Sequence, residues 1–429
     1  MKRRWWRAGA QAVILLTLVL SLSQASYGFA ILSHQAIIDA TWDKSIKPLL
    51  LKRYPNATAE QLREAHAYAY GGSIIQDMGY YPFSSKFFSD LTHYVRSGDF
   101  VEALLAEAQD INEYAFALGA LSHYAADNNG HPAGTNQVVP LIYPELKAKY
   151  GPDVTYEENP SAHLKTEFSF DVLQVARGNY APEAYHDFIG FKVSKPVLER
   201  AFLKTYGLEI DDIFTSFDLA IGTYRRTVSV IIPEMTRVAW EMKKDELEKR
   251  TPGITRDKFI FALTREAYDK EWGQEYEKPG FFAKTFALFF RVLPKVGPLK
   301  PLAFKAPTPE AERIFLKSFE QILDQYNGFL AEARGGRLAL SNRNNDTGKV
   351  VRAGDYRKAD ETYEKLLEKL AGRDFDKLTP ELQANILAYY RDLSAPIATK
   401  KDKGDWRKTL RALDRLKATS ANGTPAARQ

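Results

Sequence analysis

The chain has seven histidines and no cysteine, so any metal chemistry must rest on imidazole, carboxylate or chain-terminal donors. Two of the histidines, His123 and His163, stand four residues ahead of a carboxylate, Asp127 and Glu167. On a helix that step puts both side chains on one face, where a ring nitrogen and a carboxylate oxygen can reach one ion at about 2.0–2.2 Å. Nitrogen and oxygen donors without thiolate suit zinc and leave positions open for water and substrate. With 54 acidic residues in 429, each histidine has about a one-in-eight chance of such a partner, so about one pair is expected by accident. The pairs alone decide little, and their order along the chain carries more.

That order is Phe29, His34, Asp77, His93, then His123-Tyr124-Ala125-Ala126-Asp127, His131, and last His163 with Glu167. In this order the sequence resembles the zinc-dependent phospholipase C family and the related single-strand-specific nucleases that also act as 3′-nucleotidases. The segment from His123 to Asp127 looks like the family's central motif, and the resemblance covers roughly Phe29 to Trp240. It implies an all-α fold and a trinuclear zinc site. One zinc would be held by Asp77, His93, His123 and Asp127, and a second by the amine and carbonyl of Phe29 with His34, with Asp127 bridging the two. The third would be held by His131, His163 and Glu167. Asp77 is the carboxylate that the resemblance places to assist a water, as ligand or as base. The family usually starts with Trp and sets five residues between the central Asp and the next His. Here Phe29 stands at the start and only Asn128, Asn129 and Gly130 intervene. Glu167 leans towards the phospholipase branch.

Tyr80, Tyr81 and Phe83, followed by Phe87 and Phe88, form either an aromatic rim able to face a quaternary ammonium group or stack a base, or packing beneath the site. His66 is expected in the core or behind the ligands, and His186 on the surface.

The elements that must position these residues follow an N-terminal leader, residues 1–28. Lys2, Arg3, Arg4 and Arg7 precede an apolar run from Ala8 to Leu20, and small residues follow, as in a secretory signal peptide. Cleavage after Ala25 or after Gly28 satisfies the small-x-small rule, and the second makes Phe29 the new terminus. Removal of four basic residues lowers the net charge from +5 to +1, which argues against a stable nucleic-acid partner. The expected location is extracytoplasmic, secreted or periplasmic.

Helical periodicity dominates the rest. Ser33 is expected to cap a helix from His34 to Leu51, and Thr58 with Gln61 forms a capping box for a helix towards Asp77. Further helices are expected at Val101–Asp127, Ser161–Ala176 and Asp211–Lys249, with turn signals at Tyr54-Pro55-Asn56 and Gly130-His131-Pro132. Residues 29–250 form the phospholipase C-like domain. Residues 251–340 form an extension with a Phe-rich run, Phe281 to Leu293, that reads as core or as a lipid-interface segment. It closes in a helix capped by Thr308 with Pro309 at its first position. Residues 341–355 read as an exposed linker, and 356–429 as two helices and a basic tail with Trp406, Leu410, Leu413 and Leu416 at helical spacing.

The chain therefore reads as a zinc-dependent phosphodiesterase of phospholipase C type, with about three zinc ions, a phospholipid or other phosphodiester substrate, and peripheral membrane contact. A nuclease or 3′-nucleotidase using the same site is the second reading. A non-catalytic, metal-stabilised binding protein is the third.

Overall fold

The computed structural model describes residues 31–81, 83–177, 191–227 and 304–419. The leader, Phe29, His186, the Phe281 to Leu293 run and the last ten residues lie outside them. Among the described residues there is no strand, only an isolated bridge between Arg343 and Val350. No described helix is long and apolar enough to cross a membrane.

Helix α1 (Ile31–Thr41) passes through a π-helical turn (Trp42–Ile46) into α2 (Lys47–Arg53). Ser33 does not cap this helix. It lies inside the first described turn, where Asp171 accepts from the Leu32 amide at 2.7 Å and the Ser33 amide at 3.0 Å. A carboxylate 138 residues away thus satisfies donors that local sequence leaves open.

Thr58 and Gln61 do close the expected capping box on α3 (Ala59–Gly72). That helix stops short of Asp77, which sits in a 3₁₀ turn (Ile75–Tyr80) before α4 (Lys86–Tyr94). The stretch expected as one helix from Val101 to Asp127 is two, α5 (Ser97–Glu107) and α6 (Ile111–Gly130). Asp110 divides them because its side chain accepts from the Glu113 amide at 2.8 Å, an N-cap that competes with helix continuation.

Helix α6 is the spine of the molecule. It crosses α3 backbone against backbone: a Cβ at Gly119 would stand 2.1 Å from the Ala69 carbonyl oxygen, and one at Gly72 would stand 2.0 Å from that of Phe116. Only glycine permits this approach. The turn expected at Gly130-His131-Pro132 does not form, because the chain widens into a π-helical turn (His131–Thr135) and continues as α7 (Asn136–Ile142). Wide turns of this kind recur at functional sites, and this one accommodates Pro132, which has no N–H to give to the preceding turn.

Three helices follow: α8 (Pro144–Tyr150), α9 (Pro160–Arg177) and α10 (Lys195–Tyr206). After them come a 3₁₀ turn (Ile210–Asp212) and α11 (Phe217–Arg226), where one helix from Asp211 was expected. Ser216 caps α11 by accepting from the Leu219 amide, and the remainder of that span lies outside the described residues.

The C-terminal part packs on the same core. Helix α12 (Pro309–Arg334), capped by Thr308 as expected, lies along α6: Tyr326 donates to the Leu118 carbonyl at 2.9 Å, and Phe315 stacks on Phe170 at 4.3 Å. Both rings are buried, and burial of each such side chain contributes about 1.5–3 kcal/mol. Helices α13 (Arg357–Gly372), α14 (Pro380–Tyr389) and α15 (Lys403–Ala418) complete it, with Leu413 and Leu416 of α15 buried.

The stretch 341–354, expected to be exposed, is buried at its centre. Asn344, Asn345 and Asp346 are at most 4% exposed. Its polar composition reads as solvated loop, yet its amides and side chains find partners on α4, α6 and α7 instead of water.

Candidate metal centre

Each ligand candidate is delivered by a short piece of helix: His34 by α1, Asp77 by the 3₁₀ turn, His93 by the end of α4, and His123 and Asp127 by α6. His131 opens the π-helical turn, while His163 and Glu167 come one turn apart on α9. All eight are buried, at 0–2% exposure.

The carboxylate of Asp127 divides the cluster. Its Oδ2 lies 3.0 Å from His123 Nε2 and 3.2 Å from His93 Nε2, and its Oδ1 lies 3.7 Å from His34 Nε2 and 3.9 Å from His131 Nε2. Around Oδ2, His93 Nε2 is also 3.3 Å from Asp77 Oδ1 and 3.3 Å from His123 Nε2. At the far end, Glu167 Oε1 stands 2.8 Å from His163 Nδ1 and 3.4 Å from His131 Nε2. Three groups able to hold an ion result, each with its ligand atoms within 4.8 Å of one another: Asp77, His93 and His123; His34, His123 and Asp127; His131, His163 and Glu167.

Hydrogen bonds on the opposite ring nitrogens decide which atom faces inward. His93 Nδ1–H donates to the Ser89 carbonyl at 2.7 Å, His123 Nδ1–H to that of Ser73 at 2.9 Å, and His131 Nδ1–H to that of Asn345 at 3.1 Å. A carbonyl only accepts, so each ring keeps its proton on Nδ1 and turns the Nε2 lone pair into the site. His163 is reversed: its Nε2–H donates to Asn136 Oδ1 at 2.9 Å and leaves Nδ1 facing Glu167.

The donor set fits zinc. Ligands bound tetrahedrally at about 2.0–2.2 Å stand about 3.3–3.6 Å from one another, close to most of the separations around Asp127 Oδ2 and Glu167 Oε1. Moreover, Asp127 Oδ1 and Oδ2, Glu167 Oε1 and Oε2, Asp77 Oδ1 and His163 Nδ1 are buried and make no hydrogen bond. Buried carboxylate oxygens left so are costly unless a cation meets them.

Residues 33–215 match the family model described as zinc dependent phospholipase C. This segment belongs to the zinc-dependent phospholipase C family. No curated protein and no solved structure matches the chain. The phospholipase C segment is accordingly a hydrolase domain acting on phosphoric ester bonds, and zinc is its metal. The matched span holds all eight described ligand candidates.

Without metal, the electrostatics store protons where ions would sit. Burial alone would lower the His93 pKa, but its contacts with Asp127 and Asp77 overcome that and hold it up at about 10. His131 is likewise pulled down by burial and raised well above the ordinary imidazole range by Asp127, Asp346 and Glu167. His34 is held well below it, first by burial and then by His123. Asp127 is depressed despite burial because His123 and His131 face it.

The aromatic candidates separate. Tyr80 is buried 6.1 Å from the His93 ring and 6.4 Å from Tyr156, which in turn meets His163 edge-on at 5.9 Å. Tyr81 turns its ring edge-on to Tyr224 in the core, and Phe83 is 48% exposed on a turn with φ +62°. His66 stacks between Trp42 and Tyr70 at 3.8 and 4.6 Å, apart from the metal groups.

Sequence reasoning missed Asn136, Asn345 and Asp346. Asn136 sits five residues after His131, and its role shows only in its bond to His163. The other two come from far outside the matched span, and no local pattern marks them.

Proposed function

We propose that the protein is an extracytoplasmic phosphodiesterase that hydrolyses a phospholipid head-group ester at a trinuclear zinc site. The observation that carries this reading is the sharing of Asp127 between the cluster's two ends, Oδ2 towards His93 and His123 and Oδ1 towards His34 and His131. Zinc bound there supplies a Lewis acid that neutralises charge on the phosphoryl oxygens and lowers the pKa of a water. The chain's own part is to hold that set rigid. Backbone carbonyls fix the tautomers of His93, His123 and His131, and Asp77 is the buried carboxylate that serves as ligand or proton acceptor beside His93. Phe29, made N-terminal by cleavage after Gly28, would bring its amine five residues ahead of His34.

Tyr80 and Tyr156 carry lysines on their faces: Lys86 Nζ is 5.9 Å from the Tyr80 ring and Lys358 Nζ 5.3 Å from that of Tyr156. Asp90 pairs with Lys86, whereas Lys358 has no carboxylate within ion-pair distance among the described residues. Cations already on the rings attract the phosphate of either lipid and oppose only the quaternary ammonium of choline, so an anionic phospholipid such as phosphatidylglycerol is favoured over phosphatidylcholine.

The test is release of phosphorylated head group from vesicles of phosphatidylglycerol and of phosphatidylcholine, alongside single-stranded DNA, with His123→Ala as the control. Hydrolysis of lipid, faster on the anionic vesicle and lost in the variant, is expected. Cleavage of DNA with neither lipid touched selects the nuclease reading. Tight zinc with no hydrolysis of any of them selects the binding protein.

A further inference from the structure

The loop around Asn345 lies about 130 residues beyond the matched segment, yet it touches α4, α6, the π-helical turn that begins at His131, and Asn136 of α7. The Asn345 amide donates to the His93 carbonyl at 3.1 Å, and Asn128 Nδ2 donates to Asn345 Oδ1 at 3.2 Å. Asn136, whose Oδ1 holds His163, donates from Nδ2 to the Asp346 carbonyl at 2.7 Å. The loop is tightened from within, because Asn344 Oδ1 accepts from the Asp346 amide at 2.9 Å and the Asn344 carbonyl from Gly348 at 2.8 Å. At φ +67°, Gly348 brings the loop against the Asn128 carbonyl, where a Cβ would stand only 2.5 Å away. Pro132, four residues on, has no N–H with which to claim that carbonyl, so the π-helical turn leaves a place that the loop fills.

Asp346 is a carboxylate at 3% exposure. Tyr94 and Tyr356 both donate to its Oδ2, and its Oδ1 stands 3.5 Å from His131 Nδ1. A buried carboxylate with two hydroxyl donors on one oxygen still needs positive charge near the other. The imidazole of His131 provides it once Nε2 is bound to a cation and the Nδ1 proton becomes more acidic. Carboxylates and carbonyls set behind a metal-bound histidine fix the ring and raise its basicity.

We propose that the Asn344–Asp346 loop is the positioning element of the His131, His163, Glu167 group: the Asn345 carbonyl fixes the His131 tautomer and the Asp346 carboxylate balances its charge. The C-terminal region is then part of the metal centre rather than an appendage to it. This rests on the reading of that group as a zinc site.

The experiment is zinc affinity of the full-length protein, measured ion by ion by competition with a chromophoric chelator, with the visible spectrum of the cobalt(II)-substituted protein recorded in parallel. Asp346→Asn keeps shape and removes charge. It is expected to weaken one ion by about 10–100-fold, to alter one cobalt band and to leave the other ions at wild-type affinity. Tyr356→Phe, which loosens Asp346 without touching His131, is expected to weaken the same ion less, and it decides the matter if Asp346→Asn does not fold. His163→Ala should abolish that ion outright. An unchanged zinc content in His163→Ala would remove the underlying site. Loss of an ion in His163→Ala with wild-type affinity in Asp346→Asn, or in Tyr356→Phe where that variant decides, would overturn the role of the loop.

Discussion

The two ends of the candidate metal centre are built differently. At the Asp77, His93, His123 end both ring-orienting partners come from the phospholipase C segment itself: the carbonyl of Ser89, one turn back on the α4 helix that carries His93, and that of Ser73, the residue that ends α3. At the His131, His163, Glu167 end the orienting partners are a side chain, Asn136, and a loop more than 200 residues away in sequence. One end is held by the local crossing of helices, the other by long-range closure of the chain. One set of candidate ligands can therefore rest on the matched segment's own helices at one end and on a loop outside that segment at the other.

The largest effect should come from the residue the two ends share. Asp127→Asn is expected to lower kcat/KM on order of 100- to 1,000-fold and to release ions from both ends, measured as turnover and zinc per chain on the same folded sample. Retention of the His131 ion alone would mean that the ends are independent and that Asp127 does not bridge them.

The next effect separates the ends. Gly119→Ala places a methyl 2.1 Å from the Ala69 carbonyl, forcing α3 from α6 and shifting the Ser73 carbonyl that orients His123. A loss of at least about 1–3 kcal/mol is expected in denaturant unfolding of the metal-free protein. Zinc should weaken at the His123 end and persist at the His131 end. Equal weakening at both would show that the helix crossing supports the whole centre.

The smallest effect is a count of protons. With His93 held up at about 10, that ring is expected to keep a second proton at pH 7 in the metal-free protein, and the upward shift of His131 favours the same at the other end. Zinc binding at that pH should then release about two protons per chain, one from each end, read by calorimetry in buffers of different ionisation heat. The sign follows from the direction of shift. A raised imidazole pKa stabilises the metal-free fold fully below about 6.5, and for His93 that contribution fades as pH rises through about 10, while zinc binding strengthens over the same rise. Release of no proton would mean that the imidazoles are neutral before the metal arrives.

Two pairs of this centre were legible from helical spacing, and its other ligand candidates only through the order that resembles the phospholipase C family. His123 and Asp127, and His163 and Glu167, are one turn apart on α6 and α9, as their four-residue step requires, and Thr58 with Gln61 closes the capping box that local chemistry dictates. Where reading failed, a partner distant in sequence decided. Ser33 lost its capping role to Asp171, and the Gly130-His131-Pro132 turn became a π-helical continuation against Gly348. The polar stretch read as an exposed linker was buried at Asn344–Asp346 because the ligand helices offered its amides and side chains better-placed partners than water.

Residue type and spacing thus determined the all-α class, the nitrogen and oxygen donor types and the capped starts of α3 and α12, since these depend on interactions within four or five residues. Tertiary structure alone decided that Asp127 faces both ends, that His163 presents Nδ1 while His93, His123 and His131 present Nε2, and that Asp346 stands behind His131. Those outcomes depend on which carbonyl or carboxylate lies beyond each ring, and that is set by helix crossings and loop closure over hundreds of residues.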